Sequence, residues 1–253
     1  MFIDLLGYKI HYQKEGQGKN VIFIHGWGQD LNCFKYLTDN LKSNYTVYSI
    51  DLPGFGQSEI PRTIFNTEDY STIILEFIKV LKIKSPTLVG HSFGGKVIVD
   101  LVSKLDYHPN KIILIDSAGI KPKKSLIQKF NLYRYKFLKK VILKLYSKEK
   151  ASLLISSLQK EIGSSDYNNA KGIMRDILVT VVNEDYKNNL NLIKTPTLLL
   201  WGENDTATPL YMAKTFNKEI SNSGLVIIKN SNHFPFLDHP YESLVIIDNF
   251  LSN

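Results

Sequence analysis

The sequence predicts an α/β fold, a mostly parallel sheet with helices on both faces and a helical cap inserted late in the chain. Three observations carry this. Short continuous apolar runs recur along the chain instead of alternating with polar residues, as expected of strands covered on both faces. Segments of helical periodicity separate them, which implies right-handed crossovers. One long stretch, 120–190, holds no strand-like run.

In chain order, Phe2–Leu5 and Tyr8–Tyr12 read as a hairpin turning near Gly7. Buried strands follow at Val21–His25, Tyr45–Ile50, Thr87–Val89, Lys111–Ile115 and Thr197–Trp201, with a sixth at Leu225–Lys229. Helices are expected near 30–42, 67–82, 93–105, 208–219 and 239–252. Residues 1–119 and 191–253 then form the core domain, and 120–190 the cap. Within the cap, Leu126, Phe130, Tyr133, Phe137, Val141 and Leu145 recur every three or four residues with Lys129, Lys136, Lys139, Lys140 and Lys144 between them. That pattern is an amphipathic helix with a cationic outer face.

The chain has 253 residues, enough for one large domain with a single core. It is 43% hydrophobic and 22% charged, the composition of a globular protein rather than a disordered one. A single cysteine, Cys33, excludes an intrachain disulfide framework, and is read as a small buried apolar residue. The N-terminus lacks the basic start and apolar run of a signal peptide. No stretch reaches the ~18 apolar residues of a membrane span. A cytoplasmic protein is the expectation.

The net charge of +7 is unevenly spread. Residues 121–150 hold eleven Lys or Arg against one acid, Glu149, so the remainder is net negative. Three readings stand for this segment: a solvated outer face, attraction of anionic substrates, or peripheral docking on an anionic membrane surface. No nucleic-acid-binding module surrounds it, so nucleic acid is not an expected partner.

The chemistry is carried by Gly90-His91-Ser92-Phe93-Gly94, followed by Gly95. It matches G-x-S-x-G between a strand and a helix, the context that motif requires. A strand turning sharply into a helix needs small neighbours, supplied by Gly90 and Gly94, and places the Ser92 hydroxyl above the sheet. A serine hydroxyl needs a base. Among six histidines, His233 lies in the loop after the last strand, at the sheet edge where catalytic groups collect. The base needs an acid to fix its tautomer. Asp205, in the loop after Thr197–Trp201, is read as that acid, with Asp116 and Glu203 as rivals. Two backbone donors are needed for the oxyanion: the Phe93 amide and an amide of the His25-Gly26-Trp27-Gly28 loop, taken as Trp27. His25 is read as a buried brace of that loop rather than a proton carrier.

With these residues the sequence resembles the α/β-hydrolase superfamily, in its cap-bearing branch of serine esterases, lipases, C–C bond hydrolases and lyases. The resemblance rests on His25 to Gly28, Asp51 to Ser58, Gly90 to Gly95, Trp201 to Pro209 and Ser231 to Phe236, in the expected order. It implies the triad Ser92, Asp205 and His233. Relatives with dehalogenase or epoxide hydrolase activity carry Asp at the elbow, and Ser92 argues against both. The expected reaction is hydrolysis of a small-molecule ester or related acyl bond through an acyl-enzyme, without cofactor or metal. The alternative is C–C cleavage or lyase chemistry on an anionic keto acid, with Arg134 or Arg175 binding carboxylates. A non-catalytic ligand receptor on the same fold is the third reading.

Overall fold

The computed structural model describes residues 1–122, 126–162 and 165–253. Eight strands form one sheet: β1 (Phe2–Leu5), β2 (Tyr8–Glu15), β3 (Lys19–Ile24), β4 (Tyr45–Ile50), β5 (Thr87–His91), β6 (Lys111–Ile115), β7 (Thr197–Gly202) and β8 (Ser223–Ile228), in the order β1-β2-β4-β3-β5-β6-β7-β8. β1 pairs antiparallel with β2 and β2 with β4; every later pairing is parallel. The first hairpin turns through Leu6 and Gly7, both at positive φ, as a two-residue turn matching strand twist requires.

Helices cover both faces. On one lie α2 (Thr67–Val80), α3 (Phe93–Ser103) and α8 (Leu210–Glu219), with Ile74, Phe77, Val97, Leu101 and Phe216 in a core against Ile22, Leu88 and Leu114. On the other lie α1 (Lys35–Leu41) and, toward the C-terminus, α10 (Pro240–Ser252), with Leu37, Leu41, Ile247 and Leu251 against Phe23, Val89 and Ile113. Odd and even residues of β3, β5 and β6 therefore go to opposite cores, and this is why those strands read as unbroken apolar runs.

Some expected boundaries shift. β5 runs through Gly90 and His91, two residues past the expected end, because His91 still pairs with Ile115 of β6. β3 ends at Ile24, so His25 opens the loop instead of closing the strand. Cys33 lies in a 3-10 turn, Leu31–Phe34, and is only half-buried.

The segment between β6 and β7 is helical: α4 (Leu126–Leu145), α5 (Lys148–Ile162), α6 (Ser165–Asn169), α7 (Ile173–Asn183) and a 3-10 stretch, Lys187–Leu192. Its returning part belongs to the core packing, since Ile177, Val181, Tyr186 and Leu190 are buried there. Buried Lys96 on α3 fastens α7, donating to the carbonyls of Val181 and Glu184. Tyr186 donates to Asp100 at 2.7 Å. α4 packs against α5, and its face differs from the expected stripe. Tyr135, Leu138, Val141 and Ile142 are half-buried, whereas Tyr133, Phe137 and Leu145 are exposed. The side chains of Leu126, Lys129 and Phe130, and residues Lys123 and Lys124, lie outside the described residues. Among the described residues no helix is long and apolar enough to cross a membrane.

Candidate active site

Ser92 sits at the turn from β5 into α3 with φ +49° and ψ −111°, a conformation costly for a residue with a side chain. The turn is over-determined by its neighbours. The Ser92 amide donates to the Ile115 carbonyl at 3.0 Å, and its own carbonyl accepts from the Ala118 amide at 2.9 Å. Gly94 lets α3 approach β3, because a Cβ there would stand 2.1 Å from the Ile24 carbonyl oxygen. Gly90 is similarly enclosed, by the backbone of Gly94 and Gly95.

The hydroxyl begins a hydrogen-bonded chain. Ser92 Oγ lies 3.0 Å from His233 Nε2, and His233 Nδ1 lies 2.8 Å from Asp205 Oδ2. Asp205 also accepts from the amides of Ala207 (2.7 Å) and Thr208 (3.1 Å) and from the Thr208 hydroxyl (2.5 Å). Burial would raise this carboxyl, but the hydrogen bond and charge of His233 and the Thr208 donors outweigh it and hold Asp205 well below the usual carboxylate range. An ionised Asp205 accepts the Nδ1 proton, which leaves Nε2 as an acceptor facing Ser92. The loop lies beyond the strand end, so Asp205 does not cap α8. Pro209 holds that position.

The two rival acids are engaged elsewhere. Exposed Glu203 accepts from the Asn230 amide. Asp116 is fully buried at φ +41° and accepts the Gly202 amide at 2.9 Å through Oδ1, while its Oδ2 has no hydrogen-bond partner. Burial first, and the charge of Asp205 second, push Asp116 up to about 9. Asp116 is therefore a neutral carboxylic acid at pH 7, behind the ion that faces His233.

This has a stability consequence. A carboxyl whose folded value lies above its unfolded value of about 4 binds a proton in the native state that the unfolded state releases. Its contribution is complete below pH 4 and is lost as pH rises toward 9. Asp116→Asn, neutral at every pH, is expected to remove this loss. The stability difference between variant and parent should grow in favour of the variant by up to about 1.4 kcal/mol per pH unit between pH 5 and 8. Urea titrations across that range measure it, and parallel curves would rule out a neutral Asp116.

Sequence reasoning did not single out His91. Fully enclosed beneath the site, it donates from Nε2 to the His233 carbonyl at 2.8 Å, and its ring lies 4.8 Å from that of His233. Burial, and then the proximity of His233, push it down to about 3, so the ring stays neutral and acts as a strut for the loop that carries His233. Gly26 is shaped by the same ring: a Cβ there would meet His91 Nδ1 at 2.8 Å. The available signal was position, because a residue next to the elbow on a strand end must point to the opposite face from Ser92. Nitrogen or oxygen atoms of His91, Asp116 and His233 lie within 4.8 Å of one another. His233 commits both ring nitrogens to Ser92 and Asp205, so only two donors of that group stay open.

His25 braces its loop from both nitrogens. Nδ1 donates to the Gly26 carbonyl at 2.7 Å and Nε2 accepts the Leu52 amide at 3.0 Å, a pattern only a neutral ring makes. The loop closes as a turn with the Gln29 amide on the Gly26 carbonyl, Gly28 taking φ +74°. That bond leaves the Trp27 amide outside the turn. Phe93 is the first residue of α3, where the helix has no i−4 carbonyl for its amide. The positive end of the helix dipole lies beside the Ser92 oxygen.

Trp27, Ser92, Phe93 and His233 line a cleft of about 370 Å³. Ile120, Leu178, Val181 and Met212 add apolar surface to its lining. Among the described residues, Lys96, Asp166 and Glu184 bring charge to the lining. Burial, partly offset by Glu184, brings Lys96 down to about 8. Burial also raises the Asp166 carboxyl. Neither Arg134 nor Arg175 is among the lining residues. Arg134 is exposed on α4, and Arg175 donates to the Ala170 carbonyl and stacks on Tyr167.

The chain is similar to known proteins along most of its length. It is 23% identical to the pimeloyl-[acyl-carrier protein] methyl ester esterase of Vibrio vulnificus, over 91% of this chain and 93% of that protein. Among solved structures it superposes on an esterase from Exiguobacterium antarcticum with a TM-score of 0.78 at 22% identity, covering 100% of this chain and 99% of that one. It also superposes on a meta-cleavage product hydrolase with a TM-score of 0.75 at 17% identity, covering 100% and 97%. A family model for the alpha/beta hydrolase fold matches residues 19–240, and with the eight-stranded sheet this shows that the chain belongs to the α/β-hydrolase family.

Proposed function

We propose that the protein is a serine hydrolase of small-molecule carboxylic esters. The observation that carries this reading is the unbroken chain from Ser92 Oγ through His233 to Asp205, opening on a mostly apolar cleft. Ser92 attacks the ester carbonyl while His233 takes its proton. The amides of Trp27 and Phe93 hold the developing oxyanion. His233 then returns the proton to the leaving alcohol, and the acyl group stays on Ser92. Water, deprotonated by the same imidazole, releases the acid. The residues 120–190 act as a cap whose inner helix, α7, shapes the acyl pocket through Leu178 and Val181. No step calls for a cofactor.

Ester chemistry is favoured over C–C cleavage of an anionic keto acid by the charges in the cleft. Among the described residues no arginine lines it, Lys96 already donates to two carbonyls, and Asp166 repels a carboxylate. The Vibrio relative named as an esterase supports the same side. A panel of p-nitrophenyl esters and a vinylogous diketone acid separates the two: short esters should turn over at least about 100-fold faster in kcat/KM, a difference of about 2.7 kcal/mol. Preferred cleavage of the diketone acid would replace the ester reading. A receptor without catalysis is tested by a fluorophosphonate, which should form an adduct mapping to the Ser92 peptide; an unlabelled Ser92 would support the receptor.

A further inference from the structure

We propose that the α4–α5 hairpin is a docking surface for an anionic lipid bilayer, which brings the cleft to the membrane surface. Exposed groups of two kinds share the outer side of α4. Tyr133 and Phe137, 72% and 59% exposed, stand one turn apart. Beside them Lys136, Lys140 and Lys144 form a row at four-residue spacing, all exposed. The half-buried residues Tyr135, Leu138 and Ile142 face the other way and Val141 borders the two sides, so the exposed aromatic pair is not the seam of the hairpin. At the tip, Leu143, Leu145 and Tyr146 are exposed. Across 133–150 seven Lys or Arg face a single acid, Glu149, and all seven are exposed.

The chemistry selects the occupant. Protein interfaces are depleted in Lys and gather their apolar groups into a dry centre. Here six of the seven cations are lysines, and they are interleaved with the apolar side chains. A bilayer surface accepts that mixture. Tyr and Phe enter the headgroup boundary, while lysine stems lie along it with their ammonium groups at the phosphates. Each lysine near an anionic surface adds to the attraction. The placement also has a use, because Pro122 before the hairpin and Ser165 and Asp166 after it line the cleft. Docking through the hairpin would hold the cleft mouth near the interface, where esters with long acyl chains collect.

Flotation of the full chain with vesicles tests this. Binding is expected to phosphatidylcholine vesicles containing phosphatidylglycerol, to weaken as salt is raised, and to be absent from pure phosphatidylcholine. Lys136→Gln, Lys140→Gln and Lys144→Gln together should lower partitioning about 100-fold. Tyr133→Ser with Phe137→Ser should also lower it, and both variants should keep the parent rate on a soluble short ester. Phe137→Trp should add fluorescence that brominated lipid quenches. No binding to the anionic vesicles, or binding unchanged in both variants, would overturn the proposal. So would concentration-dependent dimerisation lost in Tyr133→Ser with Phe137→Ser, because the covering surface would then be a second copy. The soluble-ester rate reports on the active site separately, so failure of docking and failure of the ester reading are distinguishable.

Discussion

Ser92→Ala is expected to lower kcat on a short p-nitrophenyl ester by about 10⁶-fold, with KM changed little. In the proposed mechanism the hydroxyl is the group that forms the bond, and among the described residues no other hydroxyl is hydrogen-bonded to His233. The substitution should leave the fold intact. It keeps the Cβ, the backbone bonds of residue 92 to Ile115 and Ala118 do not involve the hydroxyl, and the neighbouring glycines are untouched. Circular dichroism and thermal melting identical to the parent would establish that the loss is chemical. A rate within about 10-fold of the parent would remove Ser92 from the reaction and with it the acyl-enzyme.

Asp205→Asn is the second large effect, an expected loss of about 10⁴-fold in kcat. The Asn carbonyl can still accept from Ala207 and Thr208, so the loop should hold. What changes is the proton on His233. An amide NH₂ facing Nδ1 favours the tautomer with its proton on Nε2, and that nitrogen can no longer accept from Ser92. The comparison with Asp116→Asn decides between the two buried acids. Asp116 lies close behind but is neutral, so its replacement should cost little activity near pH 7. A small loss in Asp205→Asn beside a large one in Asp116→Asn would transfer the role of acid to Asp116.

Much of this arrangement is encoded locally. Unbroken apolar runs follow from strands buried on both faces, as Leu88 and Val89 show by entering opposite cores. The elbow is legible because its geometry excludes side chains at fixed positions around Ser92, which leaves Gly90 and Gly94 as a spacing signature. His233 and Asp205 are legible for a related reason. A parallel sheet gathers its strand ends at one edge, and each residue follows a strand. Asp116 follows a strand too, so position alone does not separate it from Asp205. Their protonation depends on how many donors surround each carboxyl, a tertiary quantity: four for Asp205, counting His233, and one amide for Asp116.

The insertion shows where local pattern stops. Periodicity identifies a helix in 126–145, but a helix with apolar groups around more than one side does not state which side is covered. The tertiary structure half-buries Tyr135, Leu138, Val141 and Ile142 and leaves Tyr133 and Phe137 exposed. His91 escaped notice because its function is a bond to the backbone carbonyl of His233, 142 residues away, and a carbonyl leaves no trace in residue identity. The positions of the strands along the chain, the small turn residues and the candidate site residues were legible in the sequence alone, since each is marked by sterics or chemistry acting over a few residues. The cleft wall, the charge state of Asp116 and the exposed face of α4 were decided only in the tertiary structure, because burial and partner count depend on segments that meet from far apart in the chain.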